Sequence, residues 1–453
     1  MSTVGLITEY NPFHNGHLYH LETSKKITGA DTVICVMSGS FVQRGEPAVI
    51  DKYTRTEMAL TNGVNLLVEL PAFYACSSAE YFSYGAIMTL EALGVDFVCF
   101  GSECGDIDVL SYIAELLINE PAQLSELIKE KLSSGLSYPK ARNDSLGQYI
   151  KNINCPHDIS MIEKVLKSPN NILGIEYIKT IKKYNLTIKP YTIKRVGSNY
   201  NEIKINTDLP SASAIRNAFL NVADLERNHN ESKSDIDLNH NESKSDIDSN
   251  HNESNDHLKR DIKNDKNSLQ CSIPENVYTS LLSSIGINFP ICIDDFTVML
   301  NAKLKYLMYT DYTQLTRYLD VTIDFANRIL NVFTGFETFT ELIEKLKNKQ
   351  LTYTRVSRSL LHILLEITDE SAIKYKKGES IPYIRLLGFD ELGQTFLNKA
   401  KKECKVPLIT KTADYKELLK EDIFATEIYN MSVFHKYRTK LTSEYKQSPL
   451  RNS

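Results

Sequence analysis

Up to about residue 222 the chain alternates short apolar runs with stretches patterned for helices, and this alternation constrains the fold more than any other feature. The apolar runs are Val4–Glu9, Thr32–Met37, Val64–Leu70, Val95–Phe100 and Leu186–Ile193. Between them His17–Ile27, Lys52–Thr61 and Ala79–Leu93 read as helices, with several more beyond Asp106. Strands separated by helices of this length form right-handed βαβ units, which assemble into a parallel sheet covered on both faces. The expected class is α/β with a Rossmann-like parallel sheet. Its ligand belongs at the carboxyl ends of the strands, at the switch point of the topology.

The rest of the 453 residues divides in two. From 225 to 268 the sequence is low in complexity: Asn-His-Asn-Glu-Ser begins at Asn228, Asn239 and Asn250, an 11-residue step. Each repeat carries only one or two apolar residues, such as Ile236 or Ile247, so no coiled-coil seam can form and disorder is expected. Its histidines (229, 240, 251 and 257) read as part of a polar linker rather than a metal tract. From 271 to 453 the pattern is mainly helical, with Ile384-Arg-Leu-Leu-Gly-Phe as a short extended piece.

The formal charge of -5 conceals an asymmetry, because residues 296–453 hold 25 Lys+Arg against 19 Asp+Glu. That excess permits a polyanionic partner, and a solvated helical surface explains it equally well. Arg355, Arg358, His362, Lys374, Lys376 and Lys377, with Tyr353 and Tyr375 among them, form the candidate basic region. Eight scattered cysteines contain no Cys-x-x-Cys pair, and no apolar run approaches the roughly 18 residues of a membrane span, so reduced thiols and a cytoplasmic location are expected.

The run from Val4 to His20 passes from a strand through the turn Asn11-Pro12 into a helix, placing His14, Asn15, Gly16 and His17 at the helix start. Unpaired N–H groups and the positive end of the helix dipole stabilise phosphate there. Two imidazoles three residues apart add donors, and Gly16 lets an adenine ring approach the backbone. Donors fixed around an α-phosphate favour nucleotidyl transfer with pyrophosphate leaving. A metal ladder of His14, His17 and His20 is disfavoured, because an i, i+3, i+6 set drifts around the helix and lacks a carboxylate or thiolate companion. No metal ligands are assigned. Gly101 allows close backbone approach after its strand; Asn170, near a helix start, contacts ligand or caps. Arg195 clamps a phosphate or ribose, or is a solvated charge. Lys52 and Arg55 serve phosphate or lie at the surface.

His-x-Gly-His after a first strand resembles the signature of the nucleotidylyltransferase superfamily. The longer Glu9-Tyr-Asn-Pro-Phe-His-Asn-Gly-His-Leu-Tyr-His is similar to the bacterial tRNA(Met) cytidine acetate ligase family. Ser38-Gly-Ser-Phe-Val-Gln-Arg-Gly-Glu-Pro-Ala, Phe100-Gly-Ser-Glu, Ser168-Pro-Asn-Asn-Ile-Leu-Gly-Ile-Glu-Tyr and Leu209-Pro-Ser-Ala-Ser-Ala-Ile-Arg support it, and it covers most of the chain outside the repeats. The resemblance implies an ATP-binding catalytic domain over 1–222, with His14 and His17 catalytic. It also implies an ATP site made by Ile7, Thr8, Glu9, Tyr10, Asn11, Pro12, Phe13, His14, Asn15, Gly16, His17, Leu18, Tyr19, His20, Gly101, Asn170 and Arg195. Ser211, Ser213 and Arg216 are candidates for the outer phosphates, although Ala212 and Ala214 replace hydroxyls found elsewhere in the superfamily. The implied reaction activates acetate with ATP, accompanied by Mg²⁺, as acetyladenylate. The acetyl group then passes to N4 of cytidine 34 in elongator tRNA(Met), with 271–453 as the tRNA-binding part; no protein partner is inferred. Adenylyl transfer to a small phosphorylated cofactor precursor is the alternative, and a non-catalytic nucleotide sensor or RNA-binding protein of the same fold is a third class.

Overall fold

The computed structural model describes residues 1–195, 210–223, 266–376 and 380–452. Among the described residues ten strands form: β1 (Thr3–Thr8), β2 (Thr32–Ser38), β3 (Phe41–Val42), β4 (Glu46–Pro47), β5 (Leu66–Leu70), β6 (Phe97–Ser102), β7 (Lys189–Lys194), β8 (Ile384–Phe389), β9 (Leu408–Ile409) and β10 (Leu450–Arg451). The first helices are α1 (Asn15–Thr28), α2 (Lys52–Thr61), α3 (Ala72–Ala75) and α4 (Ala79–Ala92).

Among the described residues eight strands join one sheet in the order β10-β8-β5-β2-β1-β6-β7, with β9 also paired to β8. The five strands β5-β2-β1-β6-β7 are parallel, as the alternating pattern requires. Chain order reverses between β1 and β6, so the ligand crevice belongs where Thr8 and Ser102 end those strands.

Successive residues of β2 enter different cores. Val33, Cys35 and Met37 pack with Leu21 of α1, Met58 of α2, and Phe219 and Leu281. Ile34 and Val36 face the opposite way, toward Phe82, Ile87 and Leu90 of α4 and Ile178. Two-sided burial explains why these strands read as unbroken apolar runs.

The C-terminal stretch is helical across Thr297–Thr310, Ile323–Val332, Phe339–Leu346, Tyr353–Leu364 and Lys420–Tyr437. It also returns β8 to the sheet, antiparallel to β5 in the register Leu66↔Phe389 and Glu69↔Arg385. A boundary at 271 therefore does not separate two independent layers. Most of the low-complexity stretch 225–268 lies outside the described residues, and its last three residues are helical, as is the chain on to 272.

Candidate active site

β1 delivers the chain to the switch point, and the turn after it is held from behind. Tyr10 takes a left-handed φ of 43° and is buried with Pro12 and Phe13. Asn11 Oδ1 accepts from the Val49 N–H at 2.7 Å. Arg55 fixes the same corner. Its guanidinium donates to the carbonyls of Ile50 (3.1 Å), Glu9 (2.6 Å), Ser38 (3.0 Å) and Gly39. One buried cation thus ties together the carboxyl ends of β1 and β2.

His14 is the N-cap of α1: its Nδ1 accepts from the Gly16 N–H at 3.0 Å. That bond consumes one ring nitrogen and leaves Nε2 as the donor in the neutral ring. The His14 and His17 rings stack at 3.8 Å between centroids. Among the described residues, His17 Nδ1 and His20 Nε2 are buried without a hydrogen-bond partner. Burial, then Arg195 and Arg216, pushes His14 down to about 3. Burial and Arg195 bring His20 to about 4, while burial and its two histidine neighbours hold His17 well below the ordinary range. All three rings are therefore neutral at pH 7 without ligand. They are poised to donate to an anion whose arrival favours their charged form.

The histidines line a cleft of about 260 Å³. Ile7, Thr8, Glu9, His14, Gly16, His17, Tyr19, His20, Gly101, Asn170, Arg195, Ser211, Ser213 and Arg216 all reach it. Arg195 is exposed at the end of β7, and a Cβ on Gly101 would come within 3.2 Å of its Cγ. Glycine at 101 therefore gives room to the stem of the Arg195 side chain. The Arg216 guanidinium donates to the Asn11 carbonyl at 2.9 Å and to Ser213 Oγ at 3.2 Å.

A description of the HIGH nucleotidyl transferase family matches residues 1–444. The chain belongs to this family. It is 40% identical over 413 residues to the tRNA(Met) cytidine acetate ligase of Halothermothrix orenii, covering 90% of this chain and 87% of that one. It is 38% identical over 454 residues to the enzyme of the same name from Clostridium perfringens, covering 99% of each. The crystal structure of Thermotoga maritima TmcAL bound with alpha-thio ATP superposes with a TM-score of 0.80 at 29% identity, over 100% of both chains. The apo form of that protein gives 0.82 at 28% identity, over 100% of this chain and 99% of that one.

Several expected site residues also have contacts within the protein. Tyr10, Asn11, Pro12 and Phe13 lie behind the cleft, and Leu18 packs into the core beneath α1. The Asn15 side chain turns away to donate to the Cys271 carbonyl at 2.9 Å. A Cβ on Gly16 would meet the His14 ring at 2.8 Å, so packing of that ring accounts for the glycine before any adenine does. The amides of Asn170 and Asn171 are taken by the Glu103 carboxylate at 3.2 and 2.8 Å, leaving that helix start capped from within. Ser211 Oγ accepts from the Ala214 N–H, a capping bond.

Lys52 and Arg55 are neither phosphate ligands nor surface charges: both are fully buried, and Lys52 Nζ meets Glu69 at 2.7 Å and Glu444 at 3.1 Å. Only part of the candidate basic region turns inward, and Lys376 is exposed and Arg355 half-buried. His362 bridges the carbonyls of Leu319 and Cys76, Tyr375 is buried, and Lys374 pairs with Glu421 at 2.6 Å. Lys377 lies outside the described residues.

Sequence reasoning missed Val42, Gln43 and Arg44 of the β3–β4 hairpin, and Phe82, Leu173 and Tyr177, all of which line the cleft. Gln43 and Arg44 sit within the quoted Gly-rich segment, and its turn was the available signal. The aromatic and leucine residues carry helical core periodicity and announce nothing.

Proposed function

We propose that the protein is an ATP-dependent tRNA(Met) cytidine acetate ligase. Full-length similarity to proteins of that name carries the reading, because it includes the helical part as well as the nucleotide site. Acetate attacks the α-phosphorus of ATP, a carboxylate oxygen bonds to phosphorus, and pyrophosphate leaves. His14 and His17 donate to the oxygens on which charge grows, and Arg195 with Ser213 and Arg216 holds the outer phosphates. The remaining cleft residues of β1 and α1, with Gly101 and Asn170, shape the nucleotide seat.

The acetyl group then moves to N4 of cytidine 34 of elongator tRNA(Met), giving N4-acetylcytidine and AMP. Residues 1–222 form the catalytic part, and 271–453 form the part that meets the tRNA. Mg²⁺ arrives with ATP as part of the substrate; among the described residues no group of three or more acidic, histidine or cysteine side chains is gathered to cage it. We place the enzyme in the cytoplasm, where ATP and tRNA meet. Among the described residues no helix is long and apolar enough to cross a membrane.

Purified protein incubated with ATP and labelled acetate, with and without elongator tRNA(Met), tests this. Label in the RNA is expected. Absence of acetate-dependent ATP turnover overturns the reading, and turnover driven by a phosphorylated small molecule without RNA would indicate an adenylyltransferase.

A further inference from the structure

Much of the positive charge of residues 296–453 is matched in place: Lys345 meets Glu337 at 2.9 Å, Lys374 meets Glu421 at 2.6 Å and Lys411 meets Asp414 at 3.5 Å. Where the helix Lys420–Tyr437 ends, the cations are not matched. Arg438, Lys440 and Lys446 are exposed, as is Lys416, and among the described residues none of the four has a carboxylate partner. Carboxylates around them are drawn away, Glu444 into the buried cluster with Lys52 and Arg385, and Asp295 onto Lys436 at 2.9 Å. Glu417 and Glu427 stay exposed, so the patch keeps a positive excess.

These cations lie over rings. Arg438 Cζ and Lys440 Nζ are each 5.9 Å from the centre of the Phe434 ring, and Lys416 Nζ is 5.5 Å from the centre of the Tyr445 ring. Both rings are themselves open to solvent, at 40% and 42%. Arg438 closes the helix at a left-handed φ of 61°, and its N–H returns to the Phe434 carbonyl at 2.9 Å, which fixes it beside the ring it covers. The helix dipole alone accounts for a cation at Arg438, but not for Lys440, Lys446 or Lys416 beyond the helix. A long basic side chain loses rotamer freedom when it meets an anion, and a ring beneath it removes part of that freedom beforehand.

The same helix is tied to the cleft. Tyr429 donates to the Ala48 carbonyl at 2.9 Å. Tyr437 donates to the Pro290 carbonyl at 2.7 Å, and the neighbouring Ile291 N–H donates to the Val49 carbonyl at 2.9 Å. Ala48 and Val49 directly follow the β3–β4 hairpin, which lines the cleft with Val42, Gln43 and Arg44. Along the helix Arg438 lies about 14 Å beyond Tyr429, so a loop of RNA can rest on the patch while one of its bases turns toward the cleft.

Unmatched cations held on exposed rings suit a sugar-phosphate backbone, which supplies anions at close intervals and bases that stack. We propose that Phe434, Arg438, Lys440, Tyr445, Lys446 and Lys416 form the surface that binds the tRNA backbone. This rests on the ligase reading above, and it places the RNA at the end of the helix Lys420–Tyr437 rather than on the region around Arg355 and Lys374.

Binding of elongator tRNA(Met) to the full chain should be followed by fluorescence anisotropy at stepped salt, beside acetate-dependent ATP–pyrophosphate exchange without RNA. A triple variant carries Arg438→Asn, Lys440→Ala and Lys446→Ala, with Asn chosen because it tolerates the left-handed cap. It should bind about 10- to 100-fold more weakly, and its plot of log K against log salt should be shallower by about 2. Its exchange should match the wild type, which also shows it folded, and in acetyl transfer its KM for tRNA should rise while kcat holds. Phe434→Leu should weaken binding about 2- to 5-fold with the salt slope kept, because the cations lose their ring but remain. Lys440→Arg should bind as the wild type does. Unchanged affinity and slope in the triple variant would overturn the proposal, as would exchange falling in step with binding. A wild-type dimer that the triple variant dissociates, with tRNA affinity intact, would give the patch to a second copy of the chain and overturn it too. A wild type that exchanges no pyrophosphate with acetate would instead overturn the ligase reading.

Discussion

His14 does two jobs with one ring. Its Nδ1 caps α1 through the Gly16 amide, which leaves Nε2 as its donor, the atom proposed above to meet a phosphate. Replacing His14 or His17 with Ala should lower acetate-dependent ATP–pyrophosphate exchange by about 10²- to 10³-fold, the usual cost of losing a donor aimed at developing charge. Retained exchange in either variant would exclude that residue from the chemistry. The depressed pKa values also bear on stability. His14 and His20 bind protons readily only when unfolded, so below the ordinary value of 6.5 the unfolded state gains protons that the folded state refuses. Stability should be full above pH 6.5 and fall as pH drops toward about 4, by about 1.4 kcal/mol per pH unit for each histidine in that window. Denaturant unfolding at stepped pH measures the slope, and His20→Ala should reduce it. The His-x-Gly-His spacing made these residues legible in the sequence. Lys52 and Arg55 were not, because a charge at a helix start has the same appearance whether it meets solvent or buried carbonyls.

Among the elements, the parallel strands and α1, α2 and α4 were readable, since two-sided burial writes apolar runs and helices between them write a 3.6-residue period. What local pattern cannot express is a cap supplied from elsewhere. The helix Pro169–Lys183 begins after Ser168, which gives no side-chain cap; Glu103, at the end of β6, reaches across to the amides of Asn170 and Asn171. Asn171 Oδ1 returns the contact by accepting from the Glu103 and Cys104 amides at 2.9 and 3.2 Å. Glu103→Ala should destabilise the protein by about 1–2 kcal/mol and raise KM for ATP more than it lowers kcat, because Asn170 loses its anchor while the histidines keep theirs. A fall in kcat alone would contradict this role. The β3–β4 hairpin is likewise held from a distance. Ser357 Oγ donates to the Gly45 carbonyl at 2.6 Å, and a Cβ on Gly45 would meet the Arg358 backbone nitrogen at 2.7 Å, so the C-terminal part clamps the wall that carries Gln43 and Arg44.

Across the whole molecule, the N- and C-terminal parts share both a sheet and a buried charge cluster. Lys52 of α2, Glu69 of β5, Arg385 of β8 and Glu444 interlock: Lys52 meets both carboxylates, and so does Arg385, at 3.0 Å to Glu69 and in a direct pair with Glu444. The four charges cancel, but removing one strands another in a site with almost no solvent access. Glu444→Gln should therefore cost about 3–5 kcal/mol, far beyond any surface ion pair. The same connection bears on whether the nucleotide part can stand alone, as an enzyme for small substrates would allow. A fragment of residues 1–222 would keep β5 but lose β8, exposing the edge of a strand whose five residues are all buried in the intact protein. It would also leave Lys52 and Glu69 without Arg385 and Glu444. Such a fragment should show no cooperative unfolding and should aggregate through its open edge, while the full chain unfolds its sheet in one transition. Calorimetry of both decides it: a fragment with its own sharp transition and nucleotide binding would mean that the sheet does not need its C-terminal strand.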